Sequence, residues 1–234
     1  MSHVRPVIAQ GISGLAGRRN RGAPLAKQAA PREAWRVNKL LPHTRALAAT
    51  FLIVLAAAAV LYAMGRPPIC TCGYVEFWHG QVQSSGNSQH ITDWYSPSHF
   101  THGLIMAGVA WLLWRKWKLF GGHPSRWALP IAVLVEAAWE ISENTPAVID
   151  RYRAATASYG YTGDSIVNSM ADIGWMMLGF LVAVKLPWRW TLMLGIFLEL
   201  LALWAIRDNL TLNVIMLLYP IDAIREWQAA GGAL

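Results

Sequence analysis

The sequence is poor in charge. Of its 234 residues only 14% are Asp, Glu, Lys or Arg, while 55% are hydrophobic. Soluble domains carry about 25% charged residues, so an ordinary soluble domain is excluded. Acids are nearly absent from the first 45 positions, where nine Lys/Arg face one acid, Glu33, for a local charge of +8. The remainder sums to −1, so the basic character belongs to a tail. No nucleic-acid-binding module accompanies that tail, and no nucleic-acid partner is expected. Cysteine is scarce: Cys70 and Cys72 are the only two, and their spacing fits no standard zinc module. No small-x-small cleavage site follows the first apolar run, which argues against a removable signal peptide. There is no internal repeat.

What the chain has is long apolar runs. Six can be traced, at 46–64, 100–114, 127–142, 166–184, 190–206 and 210–224. A run of ~18 or more apolar residues crosses a ~30 Å hydrocarbon core. The sixth is the weakest, because Asn213, Pro220 and Asp222 interrupt it, and its alternative is to lie along the interface. The expected fold is an all-α, polytopic membrane helix bundle of about six transmembrane helices over 45–228. A basic, disordered tail (1–44) precedes it and a short C-terminal tail (229–234) follows. With the N-terminus inside, sixteen Lys/Arg fall on the inner side and four (Arg66, Arg151, Arg153, Arg207) on the outer. Positive residues are retained in the cytoplasm, so both termini are expected there, in a bacterial inner membrane. Two outer connections are long, 65–98 and 143–165.

The ionisable residues within the runs are the most informative feature. Glu136, Glu140 and Glu143 are spaced i, i+4, i+7 and share one helical face. Asp164, Asn168 and Asp172 share another, and His99 and His102 are spaced i, i+3. Under the topology above, all three stripes lie in the outer half of the membrane or just above it. At a rise of ~1.5 Å per residue, Glu136 sits ~10 Å deeper than Glu143. Charges at such depth face a bundle interior or a wet cavity. A polar pocket opening outward between the second, third and fourth runs is therefore expected, with Arg151 and Arg153 above it as an anion site. Two readings of His99 and His102 with Glu140 or Asp164 stay open: a zinc, manganese or iron site, and a hydrogen-bonded network. Three stay open for Cys70 and Cys72: a disulfide, a metal site with His79 or His90, and two free thiols. Glu199 is either a further pocket member or a hydrogen-bonded structural group.

The stretches Ile69-Cys-Thr-Cys-Gly-Tyr74, Trp78-His79-Gly80, Asn87-Ser-Gln-His-Ile-Thr-Asp-Trp-Tyr95, Trp139-Glu-Ile-Ser-Glu-Asn144, Asp150-Arg-Tyr-Arg153 and Gly163-Asp-Ser-Ile-Val-Asn168 resemble the alphaproteobacterial membrane family filed as domain of unknown function 2585, also uncharacterised protein family 0314. The resemblance covers about residues 45 to 208 and implies a multi-pass inner-membrane protein without an assigned activity. A weaker resemblance is to VanZ-like membrane proteins. It rests on a histidine-bearing helix (His99 or His102), then Glu140, Arg151 and an Asp-x3-Asn pattern at Asp164 and Asn168. That resemblance implies a role at the cell envelope.

Three functions are compatible with these features. The first is a pocket protein that binds or processes a polar or lipid-linked envelope substrate. The second is a small subunit or assembly factor of a larger membrane complex, with other membrane proteins as partners. The third is a transporter, for which only Glu199, Asn213 and Asp222 continue the polar path inward. The sequence leaves the cofactor, and whether there is chemistry at all, undetermined.

Overall fold

The computed structural model describes residues 44–119, 126–156 and 160–230. Among these residues the chain is helical, with no strand. The elements are α1 (Thr44–Ala63), α2 (Ser96–Trp111), α3 (Ala128–Glu143), α4 (Pro146–Ala155), α5 (Ile166–Lys185), α6 (Trp188–Ile206), α7 (Leu210–Leu218) and α8 (Asp222–Ala229). A π-helical turn, Leu112–Lys116, carries α2 onward by five residues. The expected basic tail lies outside the described residues.

Three helices, α1, α5 and α6, are long and apolar enough to cross a membrane, judged by length and composition. Six were expected. The reasons for the difference are local. α2 spends its first turns on Ser96, Ser98, His99 and His102, and α3 carries three glutamates, so neither 16-residue helix matches the apolar length of the other three. The run at 210–224 does not form one helix at all. α7 has nine residues, about 13 Å of rise, far short of a ~30 Å core. Pro220 forces the break: the residue before a proline is pushed out of the helical region, and Tyr219 is extended at φ −142°, ψ 91°.

The same break relocates the C-terminal end. α8 turns back onto the end of the bundle where α4 lies, with Arg225 Nη1 donating to the Ala154 carbonyl at 3.2 Å and Arg207 Nη1 to that of Trp227 at 3.0 Å. That end also holds the close of α1, since Arg66 donates to the Thr162 carbonyl. The last described residues therefore lie at the opposite end from the start of α1. The long connection at 143–165 likewise is not all loop, because α4 occupies its middle.

α2 and α5 pack most closely. A β-carbon on Gly103 would overlap the Met176 carbonyl, and one on Gly179 would overlap the Phe100 carbonyl. Reciprocal glycines let the two backbones touch, as small residues do in membrane helix pairs. Behind this crossing, Ile173, Met176 and Phe180 of α5 share a buried cluster with Leu129 and Val133 of α3 and Ala57 of α1. The outward surfaces are apolar too. α6 buries only Ala202 and Ala205, while Trp204 is 82% and Phe51 of α1 63% exposed. Exposed apolar side chains of this kind mark a surface that meets a membrane or another protein.

Candidate functional site

The polar residues of α2, α3 and α5 converge under the irregular segment that joins α1 to α2. That segment is clamped onto the start of α5. Ser165 N–H donates to the Ser88 carbonyl (3.1 Å), Ser165 Oγ to that of Gln89 (2.9 Å) and Asn168 Nδ2 to that of His90 (2.9 Å). Ser165 also caps α5, accepting from the Asn168 N–H, which is what a serine at that position does for an open helix end. Asp164 therefore precedes the helix and is not its first turn.

Beneath this cover lies a cavity of about 50 Å³ lined by His99, His102, Glu143, Asp164, Asn168 and Asp172 among others. A water needs roughly 10–15 Å³ measured this way, so the space suits a few waters or a small polar group. Six of the eight expected pocket residues thus line one cavity. The other two, Glu136 and Glu140, lie directly behind the histidines and are 0% and 1% exposed. His99 Nδ1 lies 2.8 Å from Glu136 Oε1 and 3.2 Å from Glu140 Oε1. His102 Nδ1 lies 3.0 Å from both Glu136 oxygens. His99 Nε2 faces Asp172 Oδ2 at 3.9 Å, and Ser96 Oγ donates to the other Asp172 oxygen at 3.3 Å.

Sequence reasoning missed several members. Asn144 donates to Asp164 Oδ2 at 2.6 Å and accepts from the Asp164 N–H at 2.8 Å, locking α3 to α5. It continues the glutamate stripe four residues after Glu140, which was the available signal. Tyr161 donates to Asp164 Oδ1 (2.9 Å) and Tyr152 to Glu143 Oε1 (2.6 Å). Burial pushes the Asp164 carboxyl up to about 6, against the opposing pull of the Tyr161 and Asn144 hydrogen bonds.

Arg151 and Arg153 do not line the cavity. Arg151 Nε donates to the Leu217 carbonyl (2.9 Å), tying α4 to α7, and Arg153 Nε to that of Tyr161 (2.6 Å), with Asp150 as its ion partner at 3.7 Å. Glu199 serves a helix end: its oxygens accept from the N–H groups of Leu210 and Thr211 at the start of α7. Asp222 pairs on the surface with Arg225 at 3.1 Å.

Cys70 and Cys72 are joined as a disulfide, which leaves no thiolate for a metal. Nearby, His79 Nδ1 lies 3.0 Å from Glu76 Oε2 and His79 Nε2 2.7 Å from Ser84 Oγ. His90 Nδ1 accepts from the Glu76 N–H at 3.1 Å. Burial lowers the His90 pKa first, and the His79 charge lowers it further, so the ring is neutral at pH 7 with its proton on Nε2.

One carboxylate at this end predicts a pH effect. Asp208 is 1% exposed, and burial raises its pKa to about 6 against its hydrogen bonds, the Asn209 N–H foremost. A carboxyl whose folded pKa exceeds its unfolded value costs nothing at low pH. Its cost grows as pH rises through the interval between the two and is complete above the folded pKa. Here that interval runs from 3.8 to about 6, and at ~1.4 kcal/mol per pH unit the cost reaches about 3 kcal/mol. Thermal unfolding in detergent is expected to show stability falling between pH 4 and 6, with a shallower fall in Asp208→Asn. An equal slope in the variant contradicts this assignment.

A family model described as "Protein of unknown function (DUF2585)" matches residues 61–230. A UPF0314 protein of Novosphingobium aromaticivorans is 52% identical over 193 residues, covering 82% of this chain and 97% of its own. Another, of Agrobacterium fabrum, is 52% identical over 178 residues, covering 76% and 87%. A third, of Sinorhizobium fredii, is 55% identical over 168 residues, covering 72% and 82%. Neither that family model nor these relatives carry a VanZ-like designation. No solved structure matches the chain. The clamped loop, the Glu-Ile-Ser-Glu-Asn end of α3 and the Asp-Ser-Ile-Val-Asn start of α5 fall inside the matched region, and the chain belongs to the DUF2585 family.

Proposed function

We propose that this chain is a multi-pass inner-membrane protein that binds or processes a polar or lipid-linked envelope substrate in a pocket open to the outer side. In this reading α1, α2, α3, α5 and α6 cross the membrane, the N-terminus is cytoplasmic and α8 lies on the outer face. Moving Arg225 outside leaves fifteen Lys/Arg on the inner side and five on the outer, so the positive-inside bias still supports the orientation. Partners are then the bilayer and the envelope substrate.

The observation that carries the reading is the convergence of His99, His102, Glu136, Glu140, Asp164 and Asp172 on one small cavity. Buried histidine–carboxylate pairs are what acid–base chemistry requires. Among the described residues no Lys or Arg pairs with these acids; the arginine–acid pairs that form, Arg153–Asp150 and Arg225–Asp222, lie elsewhere. The part of a substrate that enters is therefore uncharged or cationic. A lipid-linked or anionic ligand would keep its phosphate outside the cavity.

The test is complementation of a deletion strain for envelope sensitivity to detergent and osmotic shock. Glu140→Gln and Asp164→Asn are expected to accumulate in the membrane at wild-type level without restoring growth. Full restoration by both refutes the reading.

A second reading, the subunit of a larger assembly, is favoured by one feature. An apolar groove of about 960 Å³ runs between α2 and α6, lined by Leu104, Trp111, Trp188, Leu192 and Ile196 among others. A second membrane protein that co-purifies in mild detergent and is lost on Leu192→Arg supports it; migration as a lone monomer counts against it.

A further inference from the structure

We propose that His99, His102, Glu136 and Glu140 bind one divalent transition-metal ion of the zinc, manganese and iron class. The inference rests on reading the buried cluster as functional, and adds the cofactor that reading lacks.

His99 Nδ1 lies against both glutamates, and His102 Nδ1 lies against Glu136. His99 and His102 come from successive turns of α2, Glu136 and Glu140 from successive turns of α3, so each pair sits on one helical face and is held by rigid backbone. The Nδ1–Oε separations are 2.8 Å (His99–Glu136), 3.0 Å (His102–Glu136) and 3.2 Å (His99–Glu140). Donors arranged tetrahedrally at ~2.0–2.1 Å from zinc are about 3.3–3.4 Å apart. At these three separations the side chains need open by only a few tenths of an ångström to reach that spacing. His99, His102 and Glu136 also each offer an atom within 4.8 Å of the others, as do His99, Glu140 and Glu143.

A second observation concerns hydrogen bonding within the cluster. Glu140 Oε1 is buried and has no hydrogen-bond partner, although it faces the His99 ring. A buried carboxylate oxygen without a donor is costly, and a cation at the cluster would supply what it lacks. The outer shell agrees. His99 turns Nε2 toward Asp172, itself held by Ser96. A carboxylate behind a ligating imidazole fixes the tautomer that aims the other nitrogen at the metal.

The protons balance without any redox step. Before loading, the Nδ1 protons of the two rings are donated to Glu136. On loading, each Nδ1 lone pair goes to the ion and the remaining ring proton sits on Nε2. A ring that began as imidazolium releases one proton to the cavity water. Two nitrogens and two carboxylate oxygens suit zinc, manganese or iron, and disfavour calcium and magnesium, which prefer all-oxygen shells. The Glu76–His79–His90 group of the loop is the weaker candidate: His90 Nδ1 already accepts a backbone N–H, so its neutral ring has no free lone pair.

The experiment uses the full chain, purified in mild detergent with its affinity tag removed. The protein is stripped with a chelator, reloaded with Zn2+ or Co2+, desalted and analysed for metal. The wild type is expected to hold about one ion per chain, and the cobalt form to show the visible bands of a tetrahedral site. His102→Gln and Glu140→Gln, checked for folding by gel filtration, are expected to weaken binding tenfold or more and to lose the bands, while His79→Gln in the loop keeps both. The proposal is overturned if the wild type takes up neither ion, or if the folded cluster variants load as the wild type does. If the wild type binds no metal yet Glu140→Gln still fails complementation, the metal is wrong and the pocket reading stands. If metal binds and both complementation variants rescue, the pocket reading fails and the metal site is structural.

Discussion

Gly103→Leu is expected to leave almost no folded protein. The backbone of α2 touches that of α5 at this position, so the added side chain meets the Met176 carbonyl and the Phe180 amide, not a yielding side chain. Overpacking a core commonly costs ~1–3 kcal/mol. Against immovable backbone the cost is at the top of that range or beyond it, in a protein whose whole stability is of order 5–15 kcal/mol. The effect also reaches the site, because the crossing sets the distance between His99 on α2 and Asp172 on α5. Gly179→Leu should fail alike, since its β-carbon meets the Phe100 carbonyl. Gly108 is the control: nothing lies within 4 Å of its β-position, so Gly108→Leu should be recovered from the membrane in normal yield. Yield and monodispersity in detergent measure this. A monodisperse Gly103→Leu protein with wild-type melting would show that the two helices do not touch there.

His99→Ala is expected to be the most damaging single change in the polar cluster. It removes the ring that faces Glu136, Glu140 and Asp172, and leaves His102 alone against Glu136, with no Lys or Arg pairing with these acids among the described residues. Breaking a buried ionic pair by deleting one partner costs ~3–5 kcal/mol. The loss comes from the charge left behind, so it should be partly recovered when that charge also goes. In the double variant His99→Ala/Glu136→Leu the melting temperature should lie above that of His99→Ala alone, the sign of coupled neighbours. Strict additivity would mean that the histidine and the glutamate do not interact.

Much of this architecture is legible in the sequence because long apolar runs are a strong pattern. The runs at 46–64, 127–142, 166–184 and 190–206 fall within two residues of α1, α3, α5 and α6 at each end. The polar stripes were legible for the same reason. A glutamate in an apolar run costs too much to be incidental, so Glu136, Glu140 and Asp172 announced their inward face. Uncharged partners carry no such cost, and Asn144, marked only by its place in the glutamate stripe, was missed along with Tyr152 and Tyr161. α4 was missed because its ten residues are amphipathic and half polar, although Thr145-Pro146 is a recognisable helix start. The 210–224 run misled because its composition is apolar while its punctuation is not: Asn209 caps α7 at one end and Pro220 ends it at the other. Arg151 and Arg153 were drawn to the acids by charge alone. Their hydrogen bonds go to carbonyls, and the acid that Arg153 meets is Asp150 of its own helix, none of which a sequence displays.

The central claim is that the pocket opens to the outer aqueous side. In a Cys70→Ser/Cys72→Ser background, the change Ser98→Cys puts a single thiol on the cavity wall at the start of α2. A small, cationic, membrane-impermeant thiol reagent is then applied to intact spheroplasts and, separately, to inverted membrane vesicles. The account predicts labelling in spheroplasts and protection in inverted vesicles. Labelling only in inverted vesicles would contradict it.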